Sequence, residues 1–223
     1  MIKKIIAGLS LIGMSLSAQS ALLIDESNIT GADMGGISVT AMFSDGTTDT
    51  GIWSAFPDVV LGTGDPIADA EGFSGGVVTS TWSLTQQGFS SGNVAPSGDV
   101  YGAWTLTNLA SASAIVGFSI DGSVANVAFD IDSGSEVTPY SGVGVAFASA
   151  TSVDSVTYSD QLNAAYGDLF FALEVLFGSS ELAIDEELVF VADTETVKVP
   201  EPATTAMILT GLLFGAARLR SRK

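Results

Sequence analysis

Apolar and polar positions alternate along much of this chain with a period of two. Ile37, Val39, Ala41 and Phe43 interleave with Ser38, Thr40, Met42 and Ser44, and Asp45-Gly46 follows at once. That period puts one set of side chains on a single strand face, and Asp-Gly is a strong hairpin signal, so a return strand through Ile52 and Trp53 is expected. TWSLTQ at 81–86 and AWTLTN at 103–108 share one pattern, with Trp82 beside Leu84 and Trp104 beside Leu106. The match is too short for a true repeat and predicts two similar strands suited to pairing. Ala114, Val116, Phe118 and Ile120 alternate up to Asp121-Gly122, Val127 and Phe129 continue the pattern, and Val143, Val145 and Phe147 form another short run. Strands are also expected over 153–158, 168–177 and 188–192, whereas 56–76 and 86–99 are dense in Gly, Pro, Ser and Asp and read as long loops. Many short strands with turn signals between them, without heptads or βαβ alternation, predict an all-β fold, an antiparallel β-sandwich of jelly-roll type.

Composition narrows this picture. At 223 residues, with 47 % apolar and 14 % charged positions, the chain has enough apolar content for one well-buried domain, here residues 22–197. There is no cysteine, so packing and hydrogen bonds must stabilise it without disulfides. The basic residues are Lys3, Lys4, Lys198, Arg218, Arg220, Arg222 and Lys223, so none lies between Ile5 and Val197. Residues 21–198 hold 24 carboxylates against one lysine, a net charge of −23. Nucleic acid is bound by Lys and Arg neutralising phosphates, so this composition argues against a nucleic-acid partner.

The two ends differ from the rest. Lys3 and Lys4, an apolar run from Ile5 to about Leu16, and the small residues Ala18 and Ser20 have the pattern of a secretory signal peptide over residues 1–21, cut after Ser20 or Ala21 by signal peptidase. The run is shorter than the roughly 20 residues of a spanning helix. At the other end, Val199-Pro200-Glu201-Pro202 precedes a 15-residue apolar run, 203–217, and then Arg218, Arg220, Arg222 and Lys223. Fifteen helical residues span roughly 23 Å, and the arginines can snorkel to cytoplasmic headgroups and hold the acidic domain on the outer side. Pro200 and Pro202 exclude helix around Glu201 and favour an extended segment of the kind a protease receives.

These C-terminal residues, in this order and behind a signal peptide, resemble the PEP-CTERM sorting signal. The resemblance implies that residues 198–223 are read by an exosortase that cuts near the Pro-Glu-Pro. It also implies an inner-membrane intermediate held by a short C-terminal helix, followed by release to the cell surface or an exopolysaccharide matrix. The β-rich domain is then flanked by an N-terminal signal helix and a C-terminal hydrophobic helix. GAWTLTNLASASAIVGFSIDG and DLFFALEVLFGSSELAIDEELVFVADTE are weakly similar to the sandwich-like passenger domains of such proteins. That likeness implies no active site.

Residue types exclude many chemistries. The region between the end segments has no His, Cys or Arg, so Ser-His-Asp and Cys-His nucleophiles, His- or Cys-ligated zinc and arginine clamps on phosphate are ruled out. Carboxylate chemistry remains, as paired acids of a glycosidase or as oxygen ligands for calcium, and no other cofactor is expected. Asp49-Thr50-Gly51 and Asp132-Ser133-Gly134 have the form found in aspartic proteases, but a chain rich in these residues yields such tripeptides by chance. Asp130, Asp132 and Glu136 fall at even spacing around Gly134 and form the candidate calcium set. In a strand the same spacing describes a solvated edge, the plainer reading, and Asp185-Glu186-Glu187 reads as a solvated turn. Trp82 and Trp104 share strand faces with leucine and read as core, while Trp53 is undecided between core and a sugar-stacking surface.

Two functional expectations follow. The first is a non-enzymatic surface or matrix protein of an exopolysaccharide or biofilm layer. The second is a calcium-assisted carbohydrate-binding module, or a carboxylate-dependent glycosidase, delivered by the same route.

Overall fold

The hairpin anticipated around Asp45-Gly46 is present, with Thr40 opposite Thr50. The computed structural model describes residues 23–25, 29–56, 74–88, 90, 102–110, 113–131, 144–162 and 169–198. All but Leu23 and Lys198 belong to one compact unit, Ile24–Val197. The strands are β1 (Leu23–Asp25), β2 (Ser38–Phe43), β3 (Thr48–Ile52), β4 (Ser54–Ala55), β5 (Ser74–Val78), β6 (Trp82–Gln87) and β7 (Trp104–Asn108). They continue with β8 (Ile115–Asp121), β9 (Val127–Asp130), β10 (Ala148–Ser149), β11 (Ser155–Gln161), β12 (Leu169–Leu176), β13 (Glu187–Val191) and β14 (Asp193–Lys198). A single 3-10 turn, Gly31–Met34, is the one helical element among the described residues. No helix among them is long and apolar enough to cross a membrane.

The strands form two antiparallel sheets. The first has eight strands in the order β1-β14-β9-β12-β8-β2-β3, with β11 also on β12. Within it β8 and β9 act as two halves of one long strand: β12 pairs with β8 through Ala172↔Asp121 and with β9 through Phe170↔Phe129. Gly122 and Asn126 close the excursion between the halves, with Val127 N–H donating to the Gly122 carbonyl at 3.1 Å. On the opposite edge of this composite strand, β2 pairs with β8 and β14 with β9. The second sheet has six strands in the order β10-β13-β7-β6-β5-β4. TWSLTQ and AWTLTN do pair, as β6 and β7, with Leu84 opposite Leu106 and Gln86 opposite Trp104.

Both sheets contribute to one core. Val39, Ala41, Phe118, Ile120, Leu173 and Val175 from the first meet Trp82, Leu84, Trp104, Leu106, Leu188 and Phe190 from the second, all essentially sealed from solvent. Aromatic rings connect them: Phe118 lies 5.3 Å from Phe190, and Trp104 lies 5.7 Å from Phe190, 6.4 Å from Phe129 and 5.1 Å from Trp53. Each such pair adds about 0.5–1.5 kcal/mol beyond the area it buries. Residues 5–197 contain no Lys, Arg or His, so no ion pair forms within that stretch.

The chain changes sheet several times, most tightly at the single residues Trp53, between β3 and β4, and Ala192, between β13 and β14, and indole N–H groups hold these two crossings. Trp53 Nε1–H donates to the Gly31 carbonyl at 2.7 Å, and Trp104 Nε1–H to the Ala192 carbonyl at 3.1 Å. Gly75 packs so closely here that a Cβ would overlap the Gly31 carbonyl oxygen, which explains a glycine within β5. Trp53 is 2 % exposed, so it belongs to the core rather than to a sugar-stacking surface.

The structure departs from the pattern reading in several places. Residues 144–147 are not a strand; the only strand there is the two-residue β10. β5 falls at the end of the segment expected to be a loop, since Ser-Gly-Gly-Val-Val pairs in spite of its glycines. β14 continues the chain into the first sheet beyond 188–192, where the strands were expected to end. In β8, Ile115 is buried in place of Ala114 and Val116, because a register shift between Met42 and Phe43 sets Phe43 against Ile115 and inverts the facing. The expected signal and sorting helices, 1–21 and 198–223, lie outside the described residues except for Lys198.

Candidate functional site

β9 and β14 are antiparallel neighbours, and their register sets Asp193 directly opposite Asp130. Side chains two apart in a strand share a face, so Glu195 joins them diagonally. One carboxylate oxygen from each residue lies within 4.8 Å of those of the other two. All three are buried: Asp130 is 0 %, Glu195 6 % and Asp193 7 % exposed. The backbone at 144–145 closes over them. Gly144 lies against the Asp130 carboxylate, where a Cβ would overlap it, and Asp193 N–H donates to the Val145 carbonyl at 2.9 Å.

This arrangement has a clear electrostatic consequence. Burial, and secondarily the charge of Asp130, push the Asp193 carboxyl up to about 7, against a smaller downward pull from the Thr194 backbone N–H. Burying three carboxylates this close together is costly without a counter-charge, and no basic side chain lies between residues 5 and 197. A shared proton or a hard cation is one means of neutralisation. The same burial disfavours glycoside hydrolysis here, since the oxygens are closer than the roughly 5–9 Å that flanks a scissile glycosidic bond, and they are covered.

The triad overlaps the sequence-expected calcium set at Asp130 alone. Asp132 and Glu136 lie outside the described residues. Asp193 and Glu195 were missed by the sequence reading: their alternation with Thr194 and Thr196 was a visible strand signal, but their pairing with a distant Asp130 was not. Ala18, Ser20, Ala21, Val199, Pro200, Glu201, Pro202, Arg218, Arg220, Arg222 and Lys223, the residues expected in processing and membrane flanking, also lie outside the described residues.

Other candidates resolve into structural roles. Asp49, in the Asp-Thr-Gly tripeptide, accepts a hydrogen bond from Trp82 Nε1–H at 2.9 Å. Asp185, Glu186 and Glu187 are exposed at a turn, where Asp185 takes a positive φ of 63° and Glu186 accepts the Ala183 N–H at 2.9 Å. Asp45 caps its hairpin by accepting from the Thr47 hydroxyl at 2.6 Å and N–H at 2.9 Å, and from the Ser113 hydroxyl at 2.9 Å, contacts that hold its carboxyl below the ordinary value. Trp53, Trp82 and Trp104 are all buried, so none is available to stack on a sugar ring. None of the family models, curated proteins or solved structures compared with the chain matches it.

Proposed function

We propose that this chain is an exported, surface- or matrix-bound protein with a non-enzymatic role, whose acidic β-rich domain is directed by its two ends. One observation carries the reading: Val199-Pro200-Glu201-Pro202, a 15-residue apolar run and a basic terminus stand in that order behind a signal-peptide pattern. Signal peptidase removes residues 1–21. The C-terminal helix holds an inner-membrane intermediate until an exosortase cuts near the Pro-Glu-Pro, and the domain passes to the cell surface or an exopolysaccharide layer. Its high negative charge keeps it soluble there.

We also propose that the domain is a β-sandwich of jelly-roll type. Two antiparallel sheets with a common aromatic core support a sandwich, and sheet crossings at Trp53 and Ala192 suit the wrapped course of a jelly roll. Calcium binding is a second reading, favoured by the buried Asp130, Asp193 and Glu195 triad. The carbohydrate-binding alternative loses support from the burial of all three tryptophans.

Glu201→Ala tests the sorting reading. In the native host it should abolish C-terminal processing and leave the chain in the membrane fraction, as seen by fractionation and immunoblot. Processing at the wild-type rate would refute recognition through Pro-Glu-Pro.

A further inference from the structure

The address segment begins where a strand ends. β14 comprises Asp193–Lys198, and Val199-Pro200-Glu201-Pro202 follows directly in the sequence. β14 is an interior strand, with β1 on one side and β9 on the other. Thr194, Glu195 and Val197 are 2 %, 6 % and 1 % exposed. Val197 N–H donates to the Asn126 carbonyl at 2.7 Å, Asp193 N–H to the Val145 carbonyl at 2.9 Å, and the Ser90 hydroxyl to the Thr194 carbonyl at 3.0 Å. Pro200 and Pro202 have no N–H to give to a ladder.

A protease receives its substrate as an extended segment reaching several residues to either side of the scissile bond. A strand already paired on both edges is available only when it opens locally. Resting on the reading of the tail as a processing signal, we propose that β14 is a stop: while it is paired, C-terminal processing is confined to the chain beyond Lys198. A domain that has folded is therefore released whole. A cut inside β14 would disrupt one of the two strands that pair with β9, the one that sets Asp193 opposite Asp130. The Ala192 carbonyl, held by Trp104, fixes the start of the strand and keeps the whole of it behind the boundary.

Limited proteolysis of the full chain with a broad-specificity protease tests this, with mass spectrometry reading the C-terminal end of the protected domain. The expected end lies at Lys198 or beyond, with the near-ultraviolet signal of the buried tryptophans retained. An end between residues 193 and 197 in a domain that keeps that signal would overturn the stop.

Val197→Pro removes the donor to Asn126 and should bring cleavage into β14 roughly tenfold faster or more. If that variant does not fold, Val197→Ser keeps the N–H, gives up only the buried side chain and should show a smaller acceleration. A folded variant with no faster cleavage in β14 also counts against the proposal. In cells, a cut within 193–197 refutes the stop and leaves the sorting reading intact. A chain never cut in cells, but protected to Lys198 in vitro, refutes the sorting reading alone.

Discussion

Trp104→Ala should destabilise the domain by roughly 3–5 kcal/mol, the cost of removing a large aromatic side chain from a closed core. Trp104 is fully buried, contacts Trp53, Phe129 and Phe190, and holds the sheet crossing between β13 and β14 through the Ala192 carbonyl. Its loss opens a cavity between the sheets and leaves that carbonyl without its indole donor. For a domain of this size the melting temperature should fall by about 10 °C. Trp104→Phe keeps most of the ring volume and loses the N–H, so it should cost less than half as much. Thermal unfolding followed by near-ultraviolet circular dichroism reads both. A Trp104→Ala variant within 1 kcal/mol of wild type, roughly the worth of one hydrogen bond, would mean the two sheets do not depend on this core.

Stability should fall as pH rises from about 4 to about 7, opposite to the usual behaviour of a carboxylate. The ordinary value for Asp193 is 3.8 and its folded value is about 7, so the folded state holds a proton that the unfolded state has already lost. This contribution is fully present below pH 4, declines through the interval and is gone above pH 7. A shift of that size corresponds to at most about 4 kcal/mol. Among the described residues, the carboxylates grouped with Asp193 are Asp130 from β9 and Glu195 from its own strand, and neither supplies positive charge. Asp193→Asn should flatten the slope and be more stable than wild type at pH 8. Chemical denaturation between pH 4 and 8 in chelator measures this, and an equal slope in both proteins would contradict it. With millimolar calcium the wild-type slope should also flatten if the triad takes the cation; a melting temperature indifferent to calcium and chelator would remove the calcium reading.

How much could be read in advance depended on whether the deciding contacts were local. The β2–β3 hairpin was legible because alternation and Asp-Gly act within a dozen residues. β6 and β7 were legible as a pair because their sequences match. β5 was hidden by its glycines, which are present because Gly75 meets the Gly31 backbone, a contact distant in sequence. The inverted facing at Ile115 came from a bulge that no periodicity announces. The acidic site was half legible: Asp130 stood out among spaced carboxylates, but the register of β9 against β14 chose its partners. Trp53 was undecided for the same reason, since its burial depends on Gly31 and Trp104.

In the proposed function the tail is an address removed from the working protein. The most direct measurement is the intact mass of the protein recovered from its native host. A mass lacking both residues 1–21 and the apolar run with its basic end, 203–223, is the predicted result. A mature chain that still carries residues 203–223 would contradict it.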